Sequence, residues 1–185
     1  IYLETTTKYI DYVLKSNGYG TMKIVNFCHK NNVKLIYSAS SSKFGIDGKD
    51  ENLSPYSWTK AKNVELIKNF GEWYSLKYEI VYFYNVYGPK QIMEGDYKAV
   101  IGIFEGQYKK GEPLTVVSPG TQSRDFTHID DIINGIIMTI EKGFNSEYML
   151  GTGKNWKLAD VASMFTDNWV LVPERRGERL SSVIF

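Results

Sequence analysis

Predicted helices and strands alternate along this chain of 185 residues, with only short links between them. Residues Thr21 to Lys30 carry apolar side chains at the spacing of a helix face, and Val33 to Tyr37 follow as a buried strand. A second helix is predicted from about Tyr56 to Leu76, and a second strand from Glu79 to Tyr84. Such alternation is typical of a doubly wound, mostly parallel α/β sheet, which is therefore the predicted fold.

The second half of the chain continues the pattern. Residues Asp130 to Lys142 predict a helix with Gly143 as its C-cap. A strand is predicted from Glu147 to Leu150 and a short helix from Leu158 to Phe165, while Ile1 to Leu3 reads as the stub of another strand. The helix predicted from Asp130 to Lys142 should present one apolar face, formed by Ile132, Ile133, Ile136, Ile137 and Ile140.

Composition excludes several classes of protein. Hydrophobic residues make up 43% of the chain, enough for a core, and the net charge of +1 gives no general attraction to nucleic acid or to an anionic membrane. The single cysteine, Cys28, excludes an internal disulfide framework and fits a reducing cytoplasm. With only two histidines, we expect no histidine-based metal site. No apolar stretch approaches the ~18 residues of a transmembrane helix.

The predicted strand ends indicate where chemistry should occur. In open parallel sheets, ligands bind beyond the carboxyl ends of the strands. Residues Ser38 to Ser42 follow the first predicted strand, and Asn85 to Gly88 follow the second. Both segments should therefore lie on one rim of the sheet.

Tyr56 and Lys60 are four residues apart and should share a helix face. An ammonium beside a phenol favours the phenolate, so Lys60 is expected to lower the pKa of Tyr56 from ~10 and make it a general base. The spacing alone is weak evidence, because Tyr19 and Lys23 have it too. Only Tyr56 follows a serine run, whose Ser40 hydroxyl is placed to share a substrate oxygen with it. Alternatively, the serines merely end a strand and begin a loop.

Seven further segments follow one another along the chain: Asn17 to Thr21 (NGYGT), Tyr37 to Gly45 (YSASSSKFG), Ser54 to Lys60 (SPYSWTK), Asn85 to Pro89 (NVYGP), Gly120 to Asp131 (GTQSRDFTHIDD), Leu150 to Gly153 (LGTG) and Pro173 to Glu178 (PERRGE). In this order and at these intervals they resemble the extended short-chain dehydrogenase/reductase family of NAD-dependent nucleotide-sugar epimerases and dehydratases. The resemblance covers nearly the whole chain and is strongest to members like UDP-glucose 4-epimerase.

The resemblance implies a catalytic role for Ser40, Tyr56 and Lys60. Tyr56 would be the acid and base of the reaction, and Lys60 would bind the nicotinamide ribose of NAD. Ser38 would also contact this cofactor. Asn17 matches an asparagine that supports an active-site water, although a polar residue near a helix start explains it equally well.

The resemblance also implies a site for the substrate. Asn85 and Arg124 match positions that bind the diphosphate of a nucleotide-sugar. Arg175 and Glu178 match positions around the diphosphate and the nucleoside ribose. The chain has only four arginines, and a guanidinium that binds phosphate in a bidentate manner explains an arginine at such places.

The expected function is NAD-dependent epimerisation of a nucleotide-sugar, with a UDP-sugar as the favoured substrate. The sugar would be oxidised to a keto-sugar and then reduced on its other face. The 4,6-dehydratases of the family carry acidic residues directly after the catalytic Ser or Thr. This chain has Ser41 and Ser42 there, which disfavours dehydration. A non-catalytic relative that binds a nucleotide-sugar or a partner stays open. A dehydratase, a reductase and a decarboxylase also stay open as alternatives. The sequence does not decide which sugar and nucleotide are bound, or whether the cofactor is NAD or NADP.

The resemblance predicts how the chain is divided. Residues 1–88 would be a partial NAD-binding, Rossmann-like domain, to which residues 125–150 return. Residues 89–185 would be a smaller, mainly substrate-binding region. The glycine-rich fingerprint that opens the family's fold is not in the sequence. We therefore expect these residues to be parts of a longer chain, with a natural fragment as the alternative.

The resemblance further implies a cytoplasmic homodimer. Family members pack two helices, here about Gly20–Lys30 and Tyr56–Leu76, into a four-helix bundle with a second subunit. A broad contact with the core is the alternative explanation for the apolar surface of the second helix. That surface comprises Trp58, Ala61, Ile67, Phe70, Trp73 and Tyr74.

Overall fold

The computed structural model describes residues 8–44, 50–142 and 145–174. The strand predicted at Ile1 to Leu3 and the helix cap predicted at Gly143 lie outside the described residues. A π-helical segment, Leu14–Gly20, joins the first two helices. The helices are α1 (Ile10–Val13), α2 (Thr21–Lys30), α3 (Pro55–Tyr74), α4 (Val100–Lys110), α5 (Ile129–Lys142) and α6 (Leu158–Phe165), with short 3-10 turns at Ser41–Lys43 and Asp50–Asn52. None of the helices in the described ranges is long and apolar enough to cross a membrane.

The strands form three sheets within the described residues. They are β1 (Leu35–Ser40), β2 (Tyr78–Phe83), β3 (Asn85–Tyr87), β4 (Leu114–Val117), β5 (Ser123–His128), β6 (Glu147–Leu150), β7 (Asn155–Lys157) and β8 (Trp169–Val172). The first sheet is parallel and has the order β1-β2-β6. In the second, β5 pairs with β3 in parallel and with β7 antiparallel. Strands β4 and β8 form a parallel pair.

The register of the first sheet places two strand ends side by side. Leu35 lies opposite Tyr78, and Ser40 lies opposite Phe83. Both β1 and β2 therefore end on the same rim, as predicted. Strand β6 pairs with β2 in this sheet, whereas the division of the chain at residue 88 stays a prediction.

Most predicted elements occur with small changes at their ends. Helices α2 and α6 and strand β6 have the predicted bounds, and α3, α5 and β2 differ from them by one or two residues. The prediction for β1 was wrong at both ends, because the strand begins at Leu35 and continues through Ser40. The serines predicted to follow this strand are thus partly inside it. The small hydroxyl side chains of Ser38 and Ser40 suit the end of a strand that borders a polar cleft, which is described below.

Helices α2 and α3 cover one face of the first sheet and bury its core. Val25, Ile67 and Ile80 are completely buried there. Strand β2 is buried along nearly its whole length, as expected for the central strand of a covered parallel sheet. A second core lies between α4, β4 and α6, where Phe104 and Leu114 are completely buried.

The start of α3 is defined by local hydrogen bonding. Ser54 Oγ accepts a hydrogen bond from Ser57 N at 3.1 Å, and Pro55 occupies the first turn. The helix ends where Ser75 adopts a left-handed backbone with a φ of 55°. The cap therefore places Tyr56 in the first turn of the helix.

The isoleucines on the predicted apolar face of α5 are not all buried. Ile132 is 2% exposed, whereas Ile133, Ile137 and Ile140 are about half exposed. The buried side of the helix includes Thr139, whose hydroxyl donates to a backbone carbonyl of the same helix. Apolar content along this helix did not reveal which of its sides packs on the sheet.

A completely buried carboxylate, Asp125 of β5, joins the second sheet to the loop after β6. Its oxygens accept hydrogen bonds from Thr127 Oγ1, from both the amide and the hydroxyl of Thr152, and from Gly153 N, at distances of 2.8–3.1 Å. A charge can be buried at low cost only when it is hydrogen-bonded in this way. Asp125 therefore holds the Thr152–Gly153 loop against β5.

We expect Asp125→Ala to lower the free energy of unfolding by about 3 kcal/mol, because the buried Thr127 hydroxyl loses its acceptor and three charge-assisted hydrogen bonds from the exposed Thr152–Gly153 loop are lost. Urea-induced unfolding measures this change. Asp167→Ala, at an exposed carboxylate, is the control and should change stability by less than about 0.5 kcal/mol. Equal stability of the two variants would contradict this account of Asp125.

Candidate active site

A cleft of about 320 Å³ lies at the carboxyl ends of β1 and β2. The first turns of α3 form part of its wall, and residues of α4 and β4 line the other side. Six residues predicted from the sequence line the cleft together: Ser38, Ser40, Tyr56, Lys60, Asn85 and Arg124. The other two predicted substrate-binding residues, Arg175 and Glu178, lie outside the described part of the chain.

Ser40 is oriented by its neighbour Ser42. Ser40 Oγ accepts hydrogen bonds from Ser42 N at 3.2 Å and from Ser42 Oγ at 2.9 Å. Its own proton is then free to interact with the Tyr56 phenol. Burial raises the pKa of the Tyr56 phenol above its ordinary value, and the hydrogen bond from Ser40 opposes this rise.

Lys60 binds the end of β1 rather than the phenol. Lys60 Nζ donates to the carbonyl of Ser38 at 2.9 Å and lies 6.0 Å from the centre of the Tyr56 ring. Burial lowers the pKa of Lys60. The expected lowering of the Tyr56 pKa was therefore wrong for this structure, because the pKa is raised by burial and the ammonium is bound to a backbone carbonyl.

The far side of the cleft adds cationic and amide groups. Arg124 is 8% exposed, and its Nη1 donates to the carbonyl of Ser123 at 2.9 Å. Asn85 Nδ2 donates to the carbonyl of Asp125 at 3.3 Å. Lys98, which the sequence did not single out, also lines the cleft.

The charges around the cleft have one sign. Lys60, Lys98 and Arg124 are cationic, and none of the described residues that line the cleft is acidic. A cleft of this kind attracts and holds an anionic ligand.

Asn17 lies in the π-helical segment and does not line the cleft. Its Nδ2 donates to Thr59 Oγ1 at 3.1 Å, and Thr59 Oγ1 donates to the carbonyl of Tyr56 at 2.9 Å. Asn17 thus contacts the turn of α3 that carries Tyr56. Its role in supporting a water stays a prediction.

Sequence reasoning missed three residues that support the site. Ser42 bonds Ser40, and the Ser-x-Ser spacing, typical of local side-chain hydrogen bonds, was a signal for it. Asn63 lies seven residues after Tyr56 and thus on the same helix face, but no local pattern marked it. The ring of Tyr37 lies 5.0 Å from Lys60 Nζ. Tyr37 is one of many tyrosines in the sequence, and only the packing of α3 on β1 distinguishes it.

A comparison with known families agrees with this geometry. The model of the NAD dependent epimerase/dehydratase family matches residues 3–151. The chain belongs to this family. The predicted family is thereby confirmed.

Relatives from this family differ in the sugars that their names specify. A putative UDP-glucose 4-epimerase of Methanocaldococcus jannaschii is 32% identical over 156 residues, which cover 78% of this chain and 50% of that protein. The UDP-glucuronate 4-epimerase of Thermodesulfobacterium geofontis is 33% identical over 163 residues, covering 83% of this chain and 48% of that protein. The chain therefore spans about half the length of the curated relatives it matches.

A solved structure from this family also superimposes on the chain. It is a UDP-N-acetylglucosamine 4-epimerase from Methanobrevibacter ruminantium in complex with UDP-N-acetylmuramic acid, with a TM-score of 0.89 and 27% identity. The match covers 99% of this chain and 64% of that one. The predicted Rossmann-like α/β fold is thereby confirmed.

We expect Ser40→Ala to raise the pKa of Tyr56 further, because it removes the hydrogen bond that stabilises the phenolate. The pKa is measured by NMR titration of protein labelled with ¹³C at the tyrosine ring carbon that bears the hydroxyl, with Tyr56→Phe to assign the signal. The control is Ser41→Ala, which removes a neighbouring hydroxyl of the same cleft. A Tyr56 signal that titrates alike in both variants would contradict the role of Ser40.

Proposed function

We propose that this protein is an NAD-dependent epimerase of a nucleotide-sugar, with a UDP-sugar as its substrate and Tyr56 as the acid and base. The observation that carries the proposal is the meeting of Ser40, Tyr56 and Lys60 in one cleft at the end of β1. The relatives named as UDP-glucose and UDP-glucuronate 4-epimerases support the UDP-sugar.

The described residues fit the nicotinamide end of NAD. The Lys60 ammonium, bound to the carbonyl of Ser38, and the Tyr56 hydroxyl would hold the hydroxyls of the nicotinamide ribose. NAD, when bound, accepts a hydride from the sugar and returns it. The 185 residues contain no G-x-G-x-x-G turn for the pyrophosphate, so they account for one end of the cofactor only.

Tyr56 and Ser40 would move the proton. Once ionised, Tyr56 would take the proton of a sugar hydroxyl as that carbon is oxidised, and would give it back to the keto oxygen on reduction. When a sugar is bound, the single Ser40 proton would turn from Tyr56 to the oxygen at which charge develops, and the hydrogen bonds that Ser40 Oγ accepts from Ser42 leave that proton free to do so. The position of Tyr56 in the first turn of α3 also favours its anion, since the amino end of a helix is positive.

The cationic side of the cleft would hold the diphosphate. Arg124 and Lys98 supply positive charge to the lining of the cleft, and Asn85 supplies an amide. A diphosphate held there leaves the sugar as the part of the ligand that is able to turn. Turning presents the other face of the keto-sugar for reduction, which is what epimerisation requires.

The same cleft does not favour dehydration. Ser41 and Ser42, which follow Ser40, are buried and line the cleft with hydroxyl groups. Elimination of water needs an acid that protonates the leaving hydroxyl. The described residues of the cleft supply no carboxylate for that step.

We also propose that the protein is a homodimer that pairs α2 and α3 of the two subunits and works in the cytoplasm. Several large apolar side chains of these helices are half exposed, and together they form more apolar surface than a solvent-facing helix pair usually carries. They are Met22, Ile24 and Phe27 of α2 and Trp58, Trp73 and Tyr74 of α3. Cys28, the single thiol, is buried and free, as suits a reducing compartment.

We expect the full-length protein with NAD to convert UDP-glucose or UDP-glucuronate into its 4-epimer, as read by proton NMR of the anomeric signals. Tyr56→Phe should lower kcat by about 10²-fold or more, because it removes the proton carrier. Tyr19→Phe is the matched control and should retain activity, since Tyr19 and Lys23 have the same spacing but lie outside the cleft.

The outcomes separate the competing functions. Conversion that is lost only in Tyr56→Phe supports the epimerase. Binding of the UDP-sugar without conversion, unchanged by Tyr56→Phe, would indicate a non-catalytic relative. A product that has lost water would indicate a dehydratase.

The dimer is tested by a double substitution in α2. Ile24→Glu with Phe27→Glu places charges on one exposed apolar face and should convert a dimer into a monomer in light scattering. Met164→Glu, at a residue of α6 that is 62% exposed, is the control and should leave the dimer intact. A protein that is monomeric without any substitution would contradict the proposal.

A further inference from the structure

The Lys60 ammonium rests on a second aromatic ring. Lys60 Nζ lies 5.0 Å from the centre of the Tyr37 ring, closer than to the ring of Tyr56. Tyr37 belongs to β1 and directly precedes Ser38, whose carbonyl accepts from the same ammonium. The backbone of β1 and the π face of one of its side chains therefore act on Lys60 together.

Tyr37 is itself held in place. It is 8% exposed, and its hydroxyl accepts a hydrogen bond from Asn63 Nδ2 at 3.0 Å. It is also hydrogen-bonded to the side chain of Thr21. Burial raises the pKa of Tyr37 to about 12, so the ring carries a neutral hydroxyl at neutral pH.

Asn63 connects the elements that carry the site. Besides Tyr37, its Nδ2 contacts the carbonyl of Asn17 at 2.8 Å and Thr21 Oγ1 at 3.1 Å. One amide group, 4% exposed, thus joins α3 to β1, to the π-helical segment and to α2. The Tyr37 ring has little freedom to leave Lys60, because its hydroxyl end is bound to this amide.

We propose that Tyr37 is a positioning residue for Lys60: its ring, anchored by Asn63, holds the ammonium at the end of β1. The role of Lys60 in the reaction rests on the proposed function, whereas the placement of Lys60 by Tyr37 does not. The Lys60 ammonium is partly buried and has three donors to satisfy, and the Ser38 carbonyl satisfies one of them. The π face of Tyr37 stabilises the charge from another side without competing for the donors that a ribose would use.

Two substitutions at one position separate the ring from the hydroxyl. Tyr37→Phe keeps the ring over Lys60 and loses only the contact with Asn63 and Thr21. Tyr37→Leu removes the ring. Tyr78→Leu is the matched control, because Tyr78 has the same 8% exposure in the same core. Loss of core volume alone should affect both leucine variants alike.

The first readout is independent of activity. In protein labelled with ¹³C lysine, the ε-methylene protons of Lys60 should be shifted upfield by the ring current of Tyr37, with Lys60→Arg to assign the signal. The shift should persist in Tyr78→Leu, be smaller in Tyr37→Phe, whose ring has lost its anchor to Asn63, and disappear in Tyr37→Leu. An unshifted signal in the unsubstituted protein, or a shift retained in Tyr37→Leu, would overturn the proposal.

The second readout is kinetic. Tyr37→Leu should lower kcat by about tenfold relative to Tyr37→Phe, because the Lys60 ammonium is no longer held in position. The KM for the nucleotide-sugar should change little, because the residues that bind the substrate are not altered. Equal kcat values for the two variants would overturn the positioning role. Absence of activity in the unsubstituted protein would contradict the proposed function, and the NMR shift would then still decide whether Tyr37 holds Lys60.

Discussion

The hydrogen bond from Lys60 Nζ to the carbonyl of Ser38 joins the first turns of α3 to the end of β1, and the geometry of the site depends on it. Tyr56 lies one turn before Lys60, and Ser40 lies two residues after Ser38. This contact and the buried core between α3 and the first sheet bring the phenol and the hydroxyl to the same rim. Asn85, which begins β3, lines the same cleft and donates to the backbone carbonyl of Asp125 in the second sheet.

Burial acts in opposite directions on the two ionisable groups at the centre. It raises the pKa of the Tyr56 phenol and lowers the pKa of the Lys60 ammonium, so it disfavours the charged form of each. The proposed function therefore depends on the groups that oppose this effect. Ser40 stabilises the phenolate, the amino end of α3 adds a positive field, and the Ser38 carbonyl and the Tyr37 ring stabilise the ammonium.

Local patterns predicted four of the helices and the three strands of the first sheet, because helix spacing and strand ends are local properties, whereas the catalytic roles were implied by the family resemblance. Helix α2 has the predicted bounds, and Tyr56 and Lys60 share a helix face as expected. Strand β5 was not predicted, because its Asp125 and Thr127 are polar residues buried through hydrogen bonds, some of them to a loop that follows β6. The raised pKa of Tyr56 was missed for the same reason, since burial depends on how distant segments pack.

The central claim is that Tyr56 moves only the hydroxyl proton, while the hydrogen on the epimerised carbon leaves as a hydride and returns to that carbon. A UDP-sugar with deuterium at this carbon tests the claim most directly, with the full-length protein in ordinary water. The account predicts an epimer that retains the deuterium, and none in the Tyr56→Phe variant. An epimer that has exchanged its deuterium for solvent hydrogen would show that a base removes a proton from carbon, and would contradict the account.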